Sequence, residues 1–400
     1  MRKIVSLILV FSFILSINVS GKTVSSECDT KDLEVALSTK TEKTAIGTTL
    51  EIKAKSAVLL EPYTGKILYE KNPDEKLPPA SITKIMSLLL VMEALERGDF
   101  TLETSVTASE HACSMGGSQI WLEPGEAMTV DDLLRATVIA SANDACVALG
   151  ELVAGSEEGF VELMNQKAKE LGMNSTTFKN CTGLDVDGHL SSANDVAIMS
   201  GELIKHELIK DYSTVWMDSL RNGESELVNT NKLVRFYKGT TGLKTGTTSI
   251  AKYCLSATAE RDGLSLVAVV LAGETSSDRF EGAKKLLDYG FANFAFSKIG
   301  AELKENEISV LKGEKDSVKV KSDGNISLLL PKTAKNNIIR ETEWKKNLTA
   351  PIKNGQTVGY VNINNGEENI GRIEIKAVED VKKRNFSLSF VNILKCLFKI

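Results

Sequence analysis

A serine and a lysine stand three positions apart in the segment Ser81-Ile82-Thr83-Lys84, immediately before a long apolar stretch. On a helix, residues at this spacing lie on the same face one turn apart, so the two side chains can meet. A serine hydroxyl becomes an effective nucleophile when a neighbouring base removes its proton, and a lysine desolvated by apolar neighbours can be that base. The pair predicts acyl transfer through a covalent serine intermediate. The alternative is a capping serine followed by a solvated lysine.

Two further segments carry residues that would complete such a site. Ser141-Ala142-Asn143 lies at a break between two helical stretches, where its side chains would project into a cleft. Lys244-Thr245-Gly246 lies on a predicted strand, and its lysine and threonine offer a cation and a hydroxyl to a substrate carboxylate. Gly246 would let a substrate backbone approach the strand. The serine and asparagine segment is weak evidence alone, because both residues are ordinary between helices.

The order S-x-x-K, S-x-N and K-T-G resembles the signature of penicillin-binding proteins and class A β-lactamases, with Ala142 in place of the aspartate of S-D-N. Over roughly residues 50 to 295 the chain is similar to low-molecular-mass D-alanyl-D-alanine carboxypeptidases. The segments that carry this similarity are 78–81, 114–118, 122–126, 141–145 and 182–185. The resemblance implies an α/β fold of the penicillin-binding and β-lactamase type, with an antiparallel sheet flanked by helices, followed by a small all-β domain.

The resemblance also implies a role for each matching position. Ser81 is expected to be the nucleophile and Lys84 its proton acceptor, with Ser141 as a third catalytic residue in the proton relay. The backbone N–H groups of Ser81 and Thr247 would form the oxyanion hole. Thr247 stands where some relatives have histidine, which leaves a role for its side chain open. The substrate-binding positions implied are Asn143, Lys244, Thr245, Gly246, Thr247 and Arg279.

Two of these binding positions face the substrate's terminal carboxylate in this interpretation. Thr245 would contact it directly. Arg279, in Ser277-Asp278-Arg279-Phe280, matches a family arginine near the K-T-G strand and would assist in its recognition. An exposed arginine at the start of a helix is the alternative for Arg279.

The implied reaction is removal of the terminal D-alanine from peptidoglycan stem pentapeptides through an acyl-enzyme, with β-lactams acylating the same serine. A serine β-lactamase is one alternative, since it uses the same three segments but needs a glutamate for deacylation. Glu170 is the nearest candidate and falls at the end of an apolar helix. A non-catalytic wall-binding or sensor protein of the same fold is the other alternative. Intact Ser81, Lys84 and Lys244 argue against it.

Apolar periodicity predicts the elements that position these residues. A mostly buried helix is expected from Ser81 to Arg97, stopped by Gly98, and another over 130–140, capped by Thr129. A helix resumes near Asp144, and others are expected over 158–172, 192–206 and 279–296.

Hairpins are expected at 57–60 with 67–69 and at 253–259 with 264–272, and short strands at 317–321, 326–330, 358–363 and 370–377.

These elements and the ends of the chain predict five segments. Residues 1–21 read as a signal peptide, with a retained anchor as the alternative, and residues 22–45 as a leader. The catalytic domain is expected over 46–297 and the β domain over 300–380. Residues 382–400 are predicted to form an amphipathic helix on the membrane surface, or else a helix packed on the β domain. The protein is predicted to be exported, and its predicted location is the outer face of the cytoplasmic membrane or the cell wall space.

Composition limits the remaining possibilities. The net charge of −5 over 400 residues argues against nucleic acid as a partner. The cysteines show no C-x-x-C pair and the histidines no H-E-x-x-H spacing, so neither a metal nor any other cofactor is expected. No disulfide is predicted, and surface or packing roles are expected for the histidines. These residues are Cys28, Cys113, Cys146, Cys181, Cys254, Cys396, His111, His189 and His206.

Overall fold

The computed structural model describes residues 42–44, 50–303, 306–322, 325–333 and 338–385, with residues 42–44 described as backbone. The predicted signal peptide and most of the predicted leader lie outside the described residues. Residues 386–400 of the predicted anchor do so as well.

Among the described residues, ten strands belong to the first domain. They are β1 (Glu42–Thr44), β2 (Ser56–Glu61), β3 (Lys66–Lys71), β4 (Ser105–Thr107), β5 (Ala127–Thr129), β6 (Met217–Leu220), β7 (Ser225–Val228), β8 (Thr240–Thr248), β9 (Lys252–Arg261) and β10 (Leu264–Gly273). Six of them form an antiparallel sheet in the order β1-β3-β2-β10-β9-β8. The strand that carries the K-T-G segment, β8, therefore lies at one edge of the sheet.

In the described part of this domain, nine helices accompany the sheet. They are α1 (Lys84–Arg97), α2 (Glu110–Cys113), α3 (Val130–Arg135), α4 (Asn143–Ala154), α5 (Glu157–Glu170), α6 (Ala193–Leu203), α7 (Leu208–Ser213), α8 (Leu233–Phe236) and α9 (Ser276–Asn293). The sheet separates two apolar cores, which explains why β10 is buried at every position and carries one polar side chain, that of Ser265. Val267 and Val269 pack into the core with α1, α4 and α6, whereas Leu266 and Ala268 pack into the core with α9.

Local signals placed most helix ends correctly. Gly98 has φ 77° and ends α1, and the Thr129 side chain accepts a hydrogen bond from the backbone N–H of Asp132 at the start of α3. The capping box of Thr275 and Asp278 starts α9 at Ser276, three residues before the predicted start.

Three local features differ from the predicted helices. Residues Ala80–Thr83 form a 3-10 turn before α1, and Ala136–Ala140 form a π-helical turn after α3. The third is at Phe294, where a strand begins although the helix was predicted to continue to residue 296.

The second domain is all β. Its strands are β11 (Phe294–Gly300), β12 (Glu307–Ser309), β13 (Ser317–Ser322), β14 (Asn325–Pro331), β15 (Ile338–Trp344), β16 (Thr357–Asn365) and β17 (Glu368–Ala377). The pair β11-β14 packs against the five-stranded sheet β12-β13-β17-β16-β15 around one apolar core. Sequence patterning did not predict β15, because most of its side chains are exposed. Lys383 pairs with Gly313, so chain beyond the predicted end at 380 still belongs to this domain.

Candidate active site

The 3-10 turn Ala80–Thr83, named the nucleophile turn below, directly precedes the buried helix α1. Ser81 lies in the 3-10 turn Ala80–Thr83 and is half-buried, and Ala80 before it has φ 50°. Lys84 is the first residue of α1, and its Nζ lies 3.2 Å from Ser81 Oγ. The two side chains therefore meet as the S-x-x-K spacing predicted.

The Lys84 ammonium has three hydrogen-bond acceptors around it. Besides Ser81, Nζ donates to Asn143 Oδ1 at 2.5 Å and to the backbone carbonyl of Thr182 at 2.8 Å. The residue is 0% exposed, and this burial lowers the pKa of Lys84 below the usual lysine value. An amine with a lowered pKa is neutral in a larger fraction of molecules, and the neutral amine can accept the Ser81 proton.

The second segment, Ser141-Ala142-Asn143, reaches the site because the chain is not helical between the π-helical turn and α4. The π-helical turn Ala136–Ala140 ends at Ser141, which has φ 65°, and α4 starts two residues later at Asn143. Both polar side chains are buried there. The Asn143 amide is held at both ends, since Nδ2 donates to the carbonyl of Gly116 at 2.6 Å while Oδ1 accepts from Lys84.

The third segment, Lys244-Thr245-Gly246, brings a second buried lysine. Lys244 on β8 is 1% exposed, and burial, followed by the nearby charge of Lys84, holds its pKa well below the usual lysine value. Its Nζ donates to the carbonyl of Thr245 at 3.4 Å. The Thr245 hydroxyl donates to Thr230 Oγ1 at 2.6 Å. An anion bound beside these two buried amines would offset the burial and the mutual repulsion, and would favour their protonated forms.

Two glycines make room for the nucleophile turn. A Cβ at Gly246 would lie 2.8 Å from the Pro79 carbonyl oxygen and 3.1 Å from Ser81 N. A Cβ at Gly183, which has φ +86°, would lie 1.8 Å from the Ala80 carbonyl oxygen. Besides the approach of a substrate that the sequence predicted, Gly246 is therefore required for β8 to pack against the nucleophile turn.

Arg279 is buried against the K-T-G strand and is only 8% exposed, so the interpretation as an exposed arginine is wrong. Its Nη1 donates to the carbonyl of Gly246 at 3.0 Å, to Thr247 Oγ1 at 2.8 Å and to the carbonyl of Cys254 at 3.2 Å. Among the described residues its Nε has no hydrogen-bond partner. The guanidinium orders the exposed Thr247 side chain and adds a positive charge behind β8.

Sequence reasoning assigned no role to several groups that the fold brings to the site. Thr182 and Gly116 contribute backbone carbonyls, which have no side-chain signature. Thr230 contributes a hydroxyl to Thr245. His189 is buried and bonds to Thr83, the residue before the base.

The glutamate considered for a β-lactamase lies elsewhere. Glu170 is exposed at the end of α5, where Gln166 Nε2 and Lys167 Nζ donate to its carboxylate. These partners of Glu170 belong to its own helix and not to the segments that carry Ser81 and Lys84.

Comparisons with known proteins identify the family of this chain. The family model described as D-alanyl-D-alanine carboxypeptidase matches residues 39–275, and the model of the penicillin-binding protein 5 C-terminal domain matches residues 291–383. The D-alanyl-D-alanine carboxypeptidase DacF of Bacillus subtilis is 45% identical over 84% of this chain and 87% of its own.

Two solved structures are similar as well. Penicillin-binding protein 5 of Haemophilus influenzae is 32% identical with a TM-score of 0.71, covering 84% of this chain and 99% of its own. Penicillin-binding protein D2 of Listeria monocytogenes, in its ampicillin-bound form, is 33% identical with a TM-score of 0.56, covering 61% of this chain and 100% of its own.

Proposed function

Because the chain belongs to the D-alanyl-D-alanine carboxypeptidase family of serine hydrolases, we propose that it removes the terminal D-alanine from peptidoglycan stem pentapeptides through an acyl-enzyme on Ser81. The observation that carries this proposal is the buried Lys84 Nζ, 3.2 Å from Ser81 Oγ and bonded to Asn143. One amine thereby touches the nucleophile and a residue of the second segment. Neither the β-lactamase nor the non-catalytic alternative is favoured.

In the acylation half-reaction, Ser81 Oγ attacks the carbonyl carbon of the penultimate D-alanine and its proton passes to neutral Lys84. The carbonyl oxygen becomes an oxyanion, for which the backbone N–H groups of Ser81 and Thr247 are the proposed donors. When the C–N bond breaks, the leaving amine of D-alanine takes a proton through the relay of Lys84, Ser141 and Lys244. Water then attacks the ester with Lys84 again as base, and the shortened stem peptide leaves.

The terminal carboxylate is the proposed partner of the positive edge of β8. Lys244 and Arg279 supply basic groups and Thr245 a hydroxyl there, a bound carboxylate would favour the protonated form of Lys244, and the Thr245 hydroxyl can turn from Thr230 to the ligand. A β-lactam bears a carboxylate at a similar distance from its reactive carbonyl. We therefore propose that β-lactams acylate Ser81, which the ampicillin-bound form of the Listeria protein supports.

The test is release of free D-alanine from a stem pentapeptide by the purified protein, combined with labelling by a fluorescent penicillin. Ser81→Ala should abolish both signals. Ser277→Ala, an exposed serine at the start of α9, is the matched control and should retain both. Labelling of the Ser81→Ala variant would contradict the assignment of the nucleophile.

We also propose that the protein is exported and held at the outer face of the cytoplasmic membrane by an amphipathic helix in its last residues. The support is the sequence pattern of residues 1–21 and 382–400. None of the helices in the described part of the chain combines the length and the apolar character of a membrane span.

Truncation after Asn385 tests this anchor. It spares the backbone bonds of Lys383 and Arg384 to the β domain, which a truncation at 382 would remove. The truncated protein should leave the membrane pellet and still label with penicillin.

A further inference from the structure

A polar groove of about 530 Å³ lies where the β6–β7 hairpin approaches β5 and α3. It is lined by residues 126–128, by residues 219–223 and by two side chains of α3, Asp132 and Arg135. Its volume falls within the roughly 300–1,000 Å³ of pockets that hold small ligands. The residues that line it differ from those proposed for acyl transfer, so the groove is a separate feature.

The charged side chains in this groove are paired with each other. Arg221 Nε and Nη2 donate to the Glu126 carboxylate at 2.8 and 3.1 Å, and Arg135 Nη2 donates to Asp132 Oδ1 at 2.6 Å. Each of these side chains is 23–28% exposed, so a ligand can reach it. A charged ligand would have to compete with these pairs, whereas hydroxyl and amide groups can bond to the carboxylate lone pairs and guanidinium N–H groups that remain. The groove therefore suits a neutral molecule rich in hydroxyl groups.

An exposed indole lies next to this groove. Trp121 is 75% exposed, whereas Ile120 and Leu122 on either side of it are buried. Arg221, which lines the groove, also donates to the carbonyl of Ile120 at 2.9 Å and to that of Trp121 at 3.4 Å. Trp121 has φ 59°, a conformation that bulky residues rarely adopt and that persists only where the surrounding contacts impose it. The fold thus holds a large aromatic ring in solvent beside groups that form hydrogen bonds.

Asp144 fixes the backbone on both sides of Trp121. It is fully buried, and its carboxylate accepts hydrogen bonds from the backbone N–H groups of Ile120 and Leu122 at 3.1 Å. Asp144 lies in the first turn of α4, directly after Asn143. The indole is therefore positioned by the same helix start that supplies the amide bonded to the proposed base.

The segment that carries Trp121 also forms part of the Ser81 centre. Asn143 donates through Nδ2 to the carbonyl of Gly116 and through its backbone N–H to the carbonyl of Ser118 at 2.7 Å. Trp121 follows Ser118 by three positions, so their Cα atoms are at most about 11 Å apart. The part of a stem pentapeptide that precedes the scissile bond extends about 13 Å. A group attached to the amino end of the stem peptide can therefore reach the indole.

We propose that Trp121 and the groove form a binding site for the glycan strand of peptidoglycan, which holds the substrate away from the reacting bond. The inference rests on the proposed function, because stem peptides are attached to this strand by their amino ends. The negative face of the indole attracts the polarised C–H groups on one face of an N-acetylated sugar ring. The groups of the groove bond the hydroxyl and amide groups of the sugar through the pairs Arg221–Glu126 and Arg135–Asp132.

The first test compares kcat/KM for D-alanine release from two substrates that share one stem pentapeptide. In one substrate the amino end of the pentapeptide is acetylated, and in the other it is attached to the disaccharide of N-acetylglucosamine and N-acetylmuramic acid. We expect the unmodified protein to favour the disaccharide substrate about tenfold, because stacking and hydrogen bonds are added. Equal values would overturn the glycan site.

The second test uses Trp121→Asn, which removes the ring and tolerates a positive φ, and Trp121→Phe, which keeps an aromatic face. The preference for the disaccharide substrate should fall to about twofold or less in the first variant and stay at about fivefold or more in the second. Tyr63→Asn is the matched control and should keep the full preference, because it replaces an exposed aromatic residue in the β2–β3 turn, at the end of the sheet away from Thr247. Equal losses on both substrates in Trp121→Asn would indicate a purely structural role and overturn the proposal.

A tetramer of N-acetylglucosamine, which carries no peptide, provides a test without substitution. It should compete with the disaccharide substrate and raise its apparent KM, and it should leave the KM of the acetylated pentapeptide unchanged. The same effect on both substrates, or no effect on either, would contradict a separate glycan site.

Two readouts separate the possible failures. Labelling by a fluorescent penicillin reports whether the Ser81 centre is assembled, and if Trp121→Asn does not label, the tetramer competition in the unmodified protein decides. Release of D-alanine from neither substrate by a protein that labels would refute the proposed function. Release from both at equal kcat/KM would refute the glycan site alone.

Discussion

His189 contacts the nucleophile turn, and its protonation is predicted to make the free energy of unfolding depend on pH. Its ring is buried, its Nδ1 accepts a hydrogen bond from the backbone N–H of Lys179 at 3.1 Å, and its Nε2 lies 2.8 Å from Thr83 Oγ1. Since Nδ1 accepts, the proton of the neutral ring is on Nε2, which donates to Thr83. The bond holds the residue that separates Ser81 from Lys84.

Burial lowers the pKa of His189 from 6.5 to about 4, with nearby Asp185 opposing and Lys179 adding to the shift. At about 1.36 kcal/mol per pKa unit, the neutral ring contributes about 3 kcal/mol to the free energy of unfolding. The folded pKa is depressed, so between pH 6.5 and 4 the unfolded chain binds more protons than the folded chain. This contribution is complete above pH 6.5, falls as the pH drops, and is lost below about pH 4.

The prediction is tested by urea unfolding of the protein and of His189→Gln at two pH values. Glutamine keeps an amide donor near the position of Nε2 but does not titrate between these values. From pH 7.5 to pH 4.5 the protein should lose about 2.5 kcal/mol more unfolding free energy than the variant. Carboxylates elsewhere titrate equally in both proteins and cancel in the difference. The same pH dependence in both would refute the reasoning.

Three further substitutions test the site itself. Lys84→Ala should slow acylation by a fluorescent penicillin by roughly 10²-fold or more through loss of the general base, and an unchanged rate in stopped-flow labelling would assign the base to another residue. In the unsubstituted protein, acylation should increase with pH as Lys84 loses its proton, and its lowered pKa moves this increase below the usual lysine range. Lys244→Ala should reduce turnover of carboxylate-bearing substrates more than turnover of matched esters without the carboxylate, because only the former lose carboxylate binding as well as the proton relay; equal losses would refute the carboxylate-binding role. Gly183→Ala should lose penicillin labelling while retaining most of its helical circular dichroism, because the new Cβ would lie 1.8 Å from the Ala80 carbonyl oxygen and displace the nucleophile turn; full labelling of this variant would show that the loop can move away.

Local chemistry is what the sequence determined. Gly98 ends α1 because only glycine adopts φ 77° without strain, and Thr129 starts α3 because its hydroxyl accepts a backbone N–H three residues later. Ser81 and Lys84 meet because the spacing of the helix brings them together. Each of these outcomes depends on residues within one or two turns of each other. The order of the three motifs and the resemblance they carry then identified the family.

The tertiary structure decided the contacts between segments distant in the chain. The backbone carbonyl of Thr182, which binds Lys84, could have come from any residue type, so no letter of the sequence marks it. The sequence around Arg279 is equally consistent with an exposed and with a buried side chain. In the structure, the capping box of α9 and the packing of that helix place the guanidinium against Gly246 and Thr247. The π-helical turn before Ser141 likewise has no local signature. Such features follow from how the elements pack, and packing depends on many residues at once.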